Sequence, residues 1–99
     1  MSYLYIYSPV ALIEYKDAVG WYYLRSKKAA ENFVIAIGRK IENICADPFL
    51  YRKTYKNFRE TSIKKYPYYL VYFVDETERT VIITSVYHHK RNPQKKYIK

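Results

Sequence analysis

The sequence predicts an α+β fold, β-α-α-β-β-β, in which a helical hairpin packs on one face of a mostly antiparallel four-stranded sheet. Three observations lead there. Apolar residues recur at helical spacing in two successive stretches between residues 9 and 46. A short aromatic and β-branched run precedes them. Three more runs of extended character follow, the last two joined by the acidic turn Asp75-Glu76-Thr77-Glu78. An apolar helical stripe needs a sheet to bury against, so the hairpin covers one face. The Tyr-rich strands suit a second face left open.

Each element has a local cause. Tyr3-Leu4-Tyr5-Ile6-Tyr7 reads as the first strand. Ser8-Pro9 ends it and starts a helix, because Ser can accept a backbone N–H bond and Pro has no N–H to leave unpaired. Ala11, Tyr15, Ala18 and Tyr22, with Leu12, Val19 and Tyr23 beside them, continue that helix over residues 9–24. Ser26 is a second N-cap. After it Ala30, Phe33, Val34, Ile37, Ile41, Ile44 and Cys45 keep the helical period, with Arg39, Lys40, Glu42 and Asn43 opposite. Asp47-Pro48 stops the second helix, since Pro disfavours helical geometry in the residue before it. The only two glycines, Gly20 and Gly38, fall inside these helices, where each costs roughly 1 kcal/mol relative to Ala. A close approach of a neighbouring element would explain that placement. Residues 48–57 read as a polar, basic loop, 58–63 as a strand, 66–74 as the next and 80–88 as the last. The basic tail, residues 94–99, reads as loose unless a partner orders it.

A chain of 99 residues forms one domain, 1–99. Its single cysteine excludes an intrachain disulfide, and Cys45 sits on the apolar stripe as a packed thiol. Two histidines and one cysteine are too few for a tetrahedral zinc site, so no metal is expected. No Gly-rich phosphate loop or nucleophile elbow occurs, and no cofactor is expected. No apolar run of about 18 residues occurs, and no charged segment precedes an apolar one at the N-terminus. A soluble cytoplasmic protein without a membrane partner is the expectation. Glu14 and Asp17, three apart on the first helix, read as surface charges.

The net charge of +9 is segregated. Between residues 52 and 66, Arg52, Lys53, Lys56, Arg59, Lys64 and Lys65 face Glu60 alone. Between residues 88 and 99, Lys90, Arg91, Lys95, Lys96 and Lys99 face no acid at all. Such segregation points to a polyanionic partner, nucleic acid or an acidic protein. The cluster with most chemistry is Arg59, Tyr87, His88, His89 and Arg91. A metal-independent ribonuclease needs a base, an acid and cations for the charge developing on phosphate, and His, Arg and Tyr or Lys can fill those roles. The same groups also serve as a basic surface without catalysis. In a regular strand His88 and His89 point to opposite faces, so both cannot join one site while the strand runs through them. The pattern leaves open which of them faces the core.

In order and spacing the chain resembles the RelE/ParE superfamily of toxins from bacterial type II toxin–antitoxin systems, often called plasmid stabilisation proteins. The resemblance rests on Ser8-Pro9-x-Ala11, Trp21-Tyr22, Ala30-x-x-Phe33 with Ile37, Ile41 and Ile44, Asp47-Pro48, Arg59, Tyr66-Pro67-Tyr68-x-x-Val71-Tyr72 and Val86-x-His88-x-x-Arg91-Asn92-Pro93. It implies a toxin that arrests growth when free and is neutralised by a cognate acidic antitoxin. ParE-like members inhibit DNA gyrase; RelE-like members cleave mRNA on the ribosome. The His-x-x-Arg-Asn-Pro ending is similar to the ParE-like side. Carried over residue by residue, the resemblance implies Arg59 and Arg91 as phosphate binders and His88 as general acid or base in a nuclease. Lys64, Lys65, Tyr87, Lys90 and Tyr97 would then contact target or RNA. A non-catalytic basic binding module is the reading from another class.

Overall fold

The computed structural model describes residues 2–90, so Arg91, Tyr97 and the basic tail lie outside the described residues. The elements run β1 (Leu4–Tyr7), α1 (Pro9–Tyr23), α2 (Lys27–Ala46), β2 (Arg52–Tyr55), β3 (Phe58–Ser62), β4 (Tyr68–Asp75) and β5 (Thr80–His88). They form a five-stranded sheet of order β1-β5-β4-β3-β2 with the helical hairpin on one face. β1 lies parallel to β5 and every other pairing is antiparallel. The α+β class and the order of the expected elements hold. The sheet has one strand more than expected.

The extra strand is β2, where the sequence suggested a loop. It is an edge strand whose Arg52, Lys53 and Tyr55 are exposed. A strand with one free edge and little buried side-chain area carries no apolar alternation, and cations there discourage further pairing. β4 begins at Tyr68, two residues later than expected, because Tyr66 N–H closes a turn onto the Ile63 carbonyl at 3.0 Å.

Both helix starts are capped as the sequence implies. Ser8 Oγ accepts from Ala11 N–H at 3.2 Å and Ser26 Oγ from Ala29 N–H at 2.9 Å. The helices differ in how they bury. α2 is amphipathic, and its Phe33, Ile37, Ile41 and Ile44 join Leu70, Tyr72, Val81 and Ile83 of the sheet in one cluster. α1 is apolar nearly all round, fully buries only Ala11 and Ala18, and leaves Ile13, Trp21 and Tyr23 exposed. Cys45 is buried in the core, which pushes its thiol pKa up and keeps it protonated. The glycine expectation fails: a Cβ added at Gly20 or Gly38 would meet nothing within 4 Å.

A β-bulge in β5 decides the histidine question. Val71 pairs with Ser85 but Tyr72 pairs with Ile83, so Thr84 has no opposite number. The extra residue reverses the alternation beyond it. Val81 and Ile83 therefore share the helix-covered face with Val86 and His88, while Tyr87 lies on the other face opposite Tyr69.

Candidate functional site

Most of the chemistry-bearing residues that the structure describes gather at one end of the molecule, where β5 ends, β4 begins and the two helices are joined. His88 is directly opposite Tyr68, whose ring lies 5.0 Å away, edge to face. Tyr68 in turn meets Phe33 of α2. His88, Tyr68, Trp21, Tyr22, Pro67 and Lys90 line a cleft of about 280 Å³. A second cleft has a volume of about 650 Å³. One wall of this second cleft is α2, with Asn32, Arg39, Lys40 and Asn43; the other is the β3–β4 turn, with Lys64, Lys65 and Tyr66. Four cations and no carboxylate line it. Tyr22, which lines the first cleft, and Tyr66, which lines the second, have rings 5.5 Å apart and edge to face, and both rings meet Phe33.

The strand stops at His88, so the two imidazoles are not forced to opposite faces. Their rings stack at 5.2 Å with 10° between planes. His88 Nδ1 accepts the Lys90 backbone N–H at 3.1 Å, which places the His88 proton on Nε2 in the neutral ring. His89 contacts the Pro67 carbonyl twice, through its backbone N–H at 3.0 Å and its Nδ1 at 3.2 Å. The second contact gives His89 a proton on Nδ1, since a carbonyl can only accept. The neighbouring rings thus hold opposite tautomers. Protonating His88 at Nδ1 would displace the Lys90 N–H, coupling its charge to the conformation of the strand exit.

Arg59 is elsewhere. It pairs with Tyr72, four residues along β4 from the partner of His88 and two strands over. Strand spacings put the two backbones roughly 16 Å apart. The Arg59 guanidinium donates from one nitrogen to the carbonyls of Phe49 at 3.1 Å and Tyr51 at 2.8 Å, and lies over the Phe49 ring. Tyr72 donates its hydroxyl to the Pro48 carbonyl at 2.6 Å alongside. These two side chains fasten the segment between α2 and β2 to the sheet. The structure therefore brings together His88, Lys90, Lys64 and Lys65, but not Arg59, and places Tyr87 on the opposite face. Sequence reading missed Arg39, Lys40 and Trp21. Arg39 and Lys40 were recognised only as the polar side of α2, and nothing local reveals that this side meets the β3–β4 turn.

Glu14 also departs from expectation. Its Oε1 accepts from Ser85 Oγ at 2.9 Å and from Val86 N–H at 3.0 Å, so it is an anchor between α1 and the outer edge of β5. Among the described residues no group of three or more His, Cys, Asp or Glu could hold a metal ion, and no helix is long and apolar enough to cross a membrane.

Comparison with known proteins now fixes the family. Residues 5–93 match the model of the ParE toxin of type II toxin–antitoxin systems, parDE. No curated protein matches the sequence. Among solved structures, the isolated E. coli RelE toxin is similar in fold, with a TM-score of 0.66 at 17% identity over 94% of this chain and 90% of that one. A double arginine-to-alanine mutant of E. coli RelE in the free state gives the same TM-score and identity over 91% of this chain and 86% of its own. Identity this low conveys the shared fold and nothing finer. The extent of the family match is decisive: this chain belongs to the ParE toxin family, within the RelE/ParE superfamily of type II toxin–antitoxin toxins.

Proposed function

We propose that this toxin arrests growth by engaging DNA gyrase, as the ParE-like resemblance implies, and that a cognate acidic antitoxin restrains it. The observation that carries this reading is the separation of Arg59 from His88. A metal-independent ribonuclease needs its base and its phosphate-binding cations around a single phosphate, within a few ångströms. Here Arg59 is occupied by two backbone carbonyls, and His88 is paired at the far end of β4. The ParE family match supports the same side. On this reading His88 and Lys90, with Arg91 beyond the described residues, are contact groups for the target and not catalysts. The net charge of +9 favours capture by an acidic antitoxin through steering of the encounter.

Purified toxin added to a gyrase supercoiling reaction tests the reading, alongside mapping of mRNA 5′ ends soon after induction. Lost supercoiling with intact mRNA is the expected result. New cuts that depend on translation, with gyrase unaffected, would replace it with the RelE-like endoribonuclease reading and return His88 to a catalytic role.

A further inference from the structure

The two edges of the sheet are guarded differently. β2 forms one edge, with Arg52 and Lys53 exposed on it. Charges there discourage a further strand from pairing. β1 forms the other edge and has no such guard. It reads Leu4-Tyr5-Ile6-Tyr7, without proline or bulge, and residues 1–13 hold no charged side chain at all. Leu4, Tyr5 and Ile6 are 73%, 47% and 54% exposed. The backbone is open as well. Leu4 N–H donates to the Arg79 carbonyl at 3.1 Å and Ser8 N–H to the Ile83 carbonyl at 2.8 Å, so Leu4, Ile6 and Ser8 turn their backbone groups toward β5. Tyr5 and Tyr7, which alternate with them, turn theirs away from the sheet. Tyr3 lies on that outer side too, but its N–H is taken at 2.9 Å by the Cys45 carbonyl near the end of α2.

We propose that this edge pairs with the same edge of a second copy of the chain, antiparallel about a two-fold axis at Ile6, so that one sheet runs through both molecules. Tyr5 of each copy then exchanges N–H and C=O bonds with Tyr7 of the other. This register pairs both outward-facing residues and leaves Tyr3 to α2. Ile6 meets its own counterpart across the axis, at the closer, non-hydrogen-bonded position of an antiparallel pair, and its exposed side chain is covered there. Charge selects the occupant. An acidic segment finds no cation on residues 3–7, whereas an uncharged apolar edge complements itself. Arg79, 4.4 Å from the Tyr3 ring centre, sits at the end of the strand away from the axis. The net charge of +9 does not forbid the approach. β2 and its cations lie four strand spacings from β1, about 19 Å, well beyond the screening length of about 8 Å at physiological salt. An edge of four residues buries little area, so the dimer is weak and depends on concentration. β1 pairs only with Thr80 to Ile83, so the strand exit at His88 lies beyond the paired edge in both copies. Antiparallel pairing points the two exits in opposite directions, and the dimer presents both. The proposal stands whether or not gyrase is the target.

The test follows full-length toxin, released from its antitoxin, by sedimentation equilibrium over a roughly hundredfold range of concentration, across which mass action shifts a weak dimer from mostly apart to mostly paired. The average mass should climb from 12.0 kDa toward twice that value. Amide hydrogen exchange, read residue by residue at both ends of the range, reports the register. Tyr5 and Tyr7 should gain protection with concentration, and Ile6, already turned toward β5, should not. Ile6→Lys places like charges opposite each other on the axis. Tyr5→Pro removes an outward donor at an edge position that tolerates proline. Each should weaken dimerisation by more than about tenfold. Lys53→Ala, on the far edge of the sheet, should leave it unchanged. Circular dichroism checks that each variant is folded; if neither β1 variant is, the exchange pattern of the wild type carries the test. A mass of 12.0 kDa at every concentration, a dimer untouched by both folded β1 variants, or dimerisation with the Tyr5 and Tyr7 amides still exchanging freely would each overturn the proposal. So would protection that appears only when antitoxin is added, which would assign the edge to that partner.

Discussion

Arg59 shows how a residue singled out by type can be spoken for by structure. Its two bonds to the Phe49 and Tyr51 carbonyls tie the exit of α2 to the sheet. A hydrogen bond from a charged donor is worth about 1.5–3 kcal/mol. Arg59→Ala should therefore lower the unfolding free energy by about 2 kcal/mol. Arg59→Lys should recover only part, since an ammonium lacks the planar fork. Denaturant titration reads both, and an Ala variant as stable as wild type would refute the anchoring role. A toxicity assay on Arg59→Ala has meaning only beside that titration. The glycines give the opposite sign. Helical Gly20 and Gly38 have open space where a Cβ would sit, so Gly→Ala at either should raise stability by about 1 kcal/mol and shift the melting midpoint upward. Meanwhile Lys56, Lys65 and Arg79 hold the left-handed turn positions that glycine would occupy without strain. A reader of the sequence meets glycine where there is no turn and lysine where there is one.

Among the elements, β5 is the strand that most needs its edge managed. β1 pairs only with residues Thr80 to Ile83, and β5 runs on to His88. The start of α1 covers the remainder: Ser8 N–H donates to the Ile83 carbonyl at 2.8 Å, Ser8 Oγ to the Thr84 carbonyl at 3.4 Å, and Glu14 accepts from Ser85 and Val86. An unpaired N–H beside a helix costs roughly 1–3 kcal/mol. Glu14→Ala should be destabilising by about 2 kcal/mol, and Glu14→Gln by clearly less, because an amide oxygen still accepts both bonds. Equal losses in the two variants would mean that the charge and not the acceptor matters. The helices and the two long strands were legible because their periods and caps are local properties of the chain. β2 was not, since an edge strand with three exposed side chains has no apolar alternation to read. Nor was the bulge: residues 81–88 are apolar on both faces, so a break in alternation leaves no mark, and only the pairing of Tyr72 with Ile83 reveals the extra residue at Thr84. That single residue decides which histidine joins the aromatic cleft. The candidate site was legible in its composition, since His88, Lys90, Lys64 and Lys65 all reach one end. Its partition from Arg59 depends on strand order, which no local pattern encodes.

The whole molecule is a tyrosine-rich fold with 14 Tyr in 99 residues, and this gives it a characteristic response to alkali. Burial raises the pKa of Tyr7 well above the usual phenol range, and the neighbouring Tyr15 and Tyr5 add to it. Burial does the same to Tyr72, with Arg59 pulling the other way and Tyr51, Asp47 and Cys45 adding to the rise. Tyr15 and Tyr22 shift upward as well, again chiefly through burial. An unfolded Tyr loses its proton near pH 10, while the folded one keeps it. Above that pH the unfolded state binds fewer protons than the native state, so stability falls as pH rises. Loss of lysine charge works against this, because it relieves the self-repulsion of a +9 chain. Self-repulsion between exposed charges is screened within about 10 Å at 0.1 M salt, whereas ionising a buried phenol is not, so the tyrosines should dominate. The urea midpoint should hold level from pH 7 to 9 and drop between pH 10 and 11.5. Tyr72→Phe separates the contributions. It removes the 2.6 Å bond to the Pro48 carbonyl and should be about 1 kcal/mol less stable at neutral pH. It also removes one raised phenol, so its midpoint should fall less steeply, and the gap to wild type should narrow above pH 10. A gap that stays constant to pH 11.5 would show that Tyr72 ionises as readily in the folded protein as in the unfolded chain, and that the alkaline loss arises elsewhere.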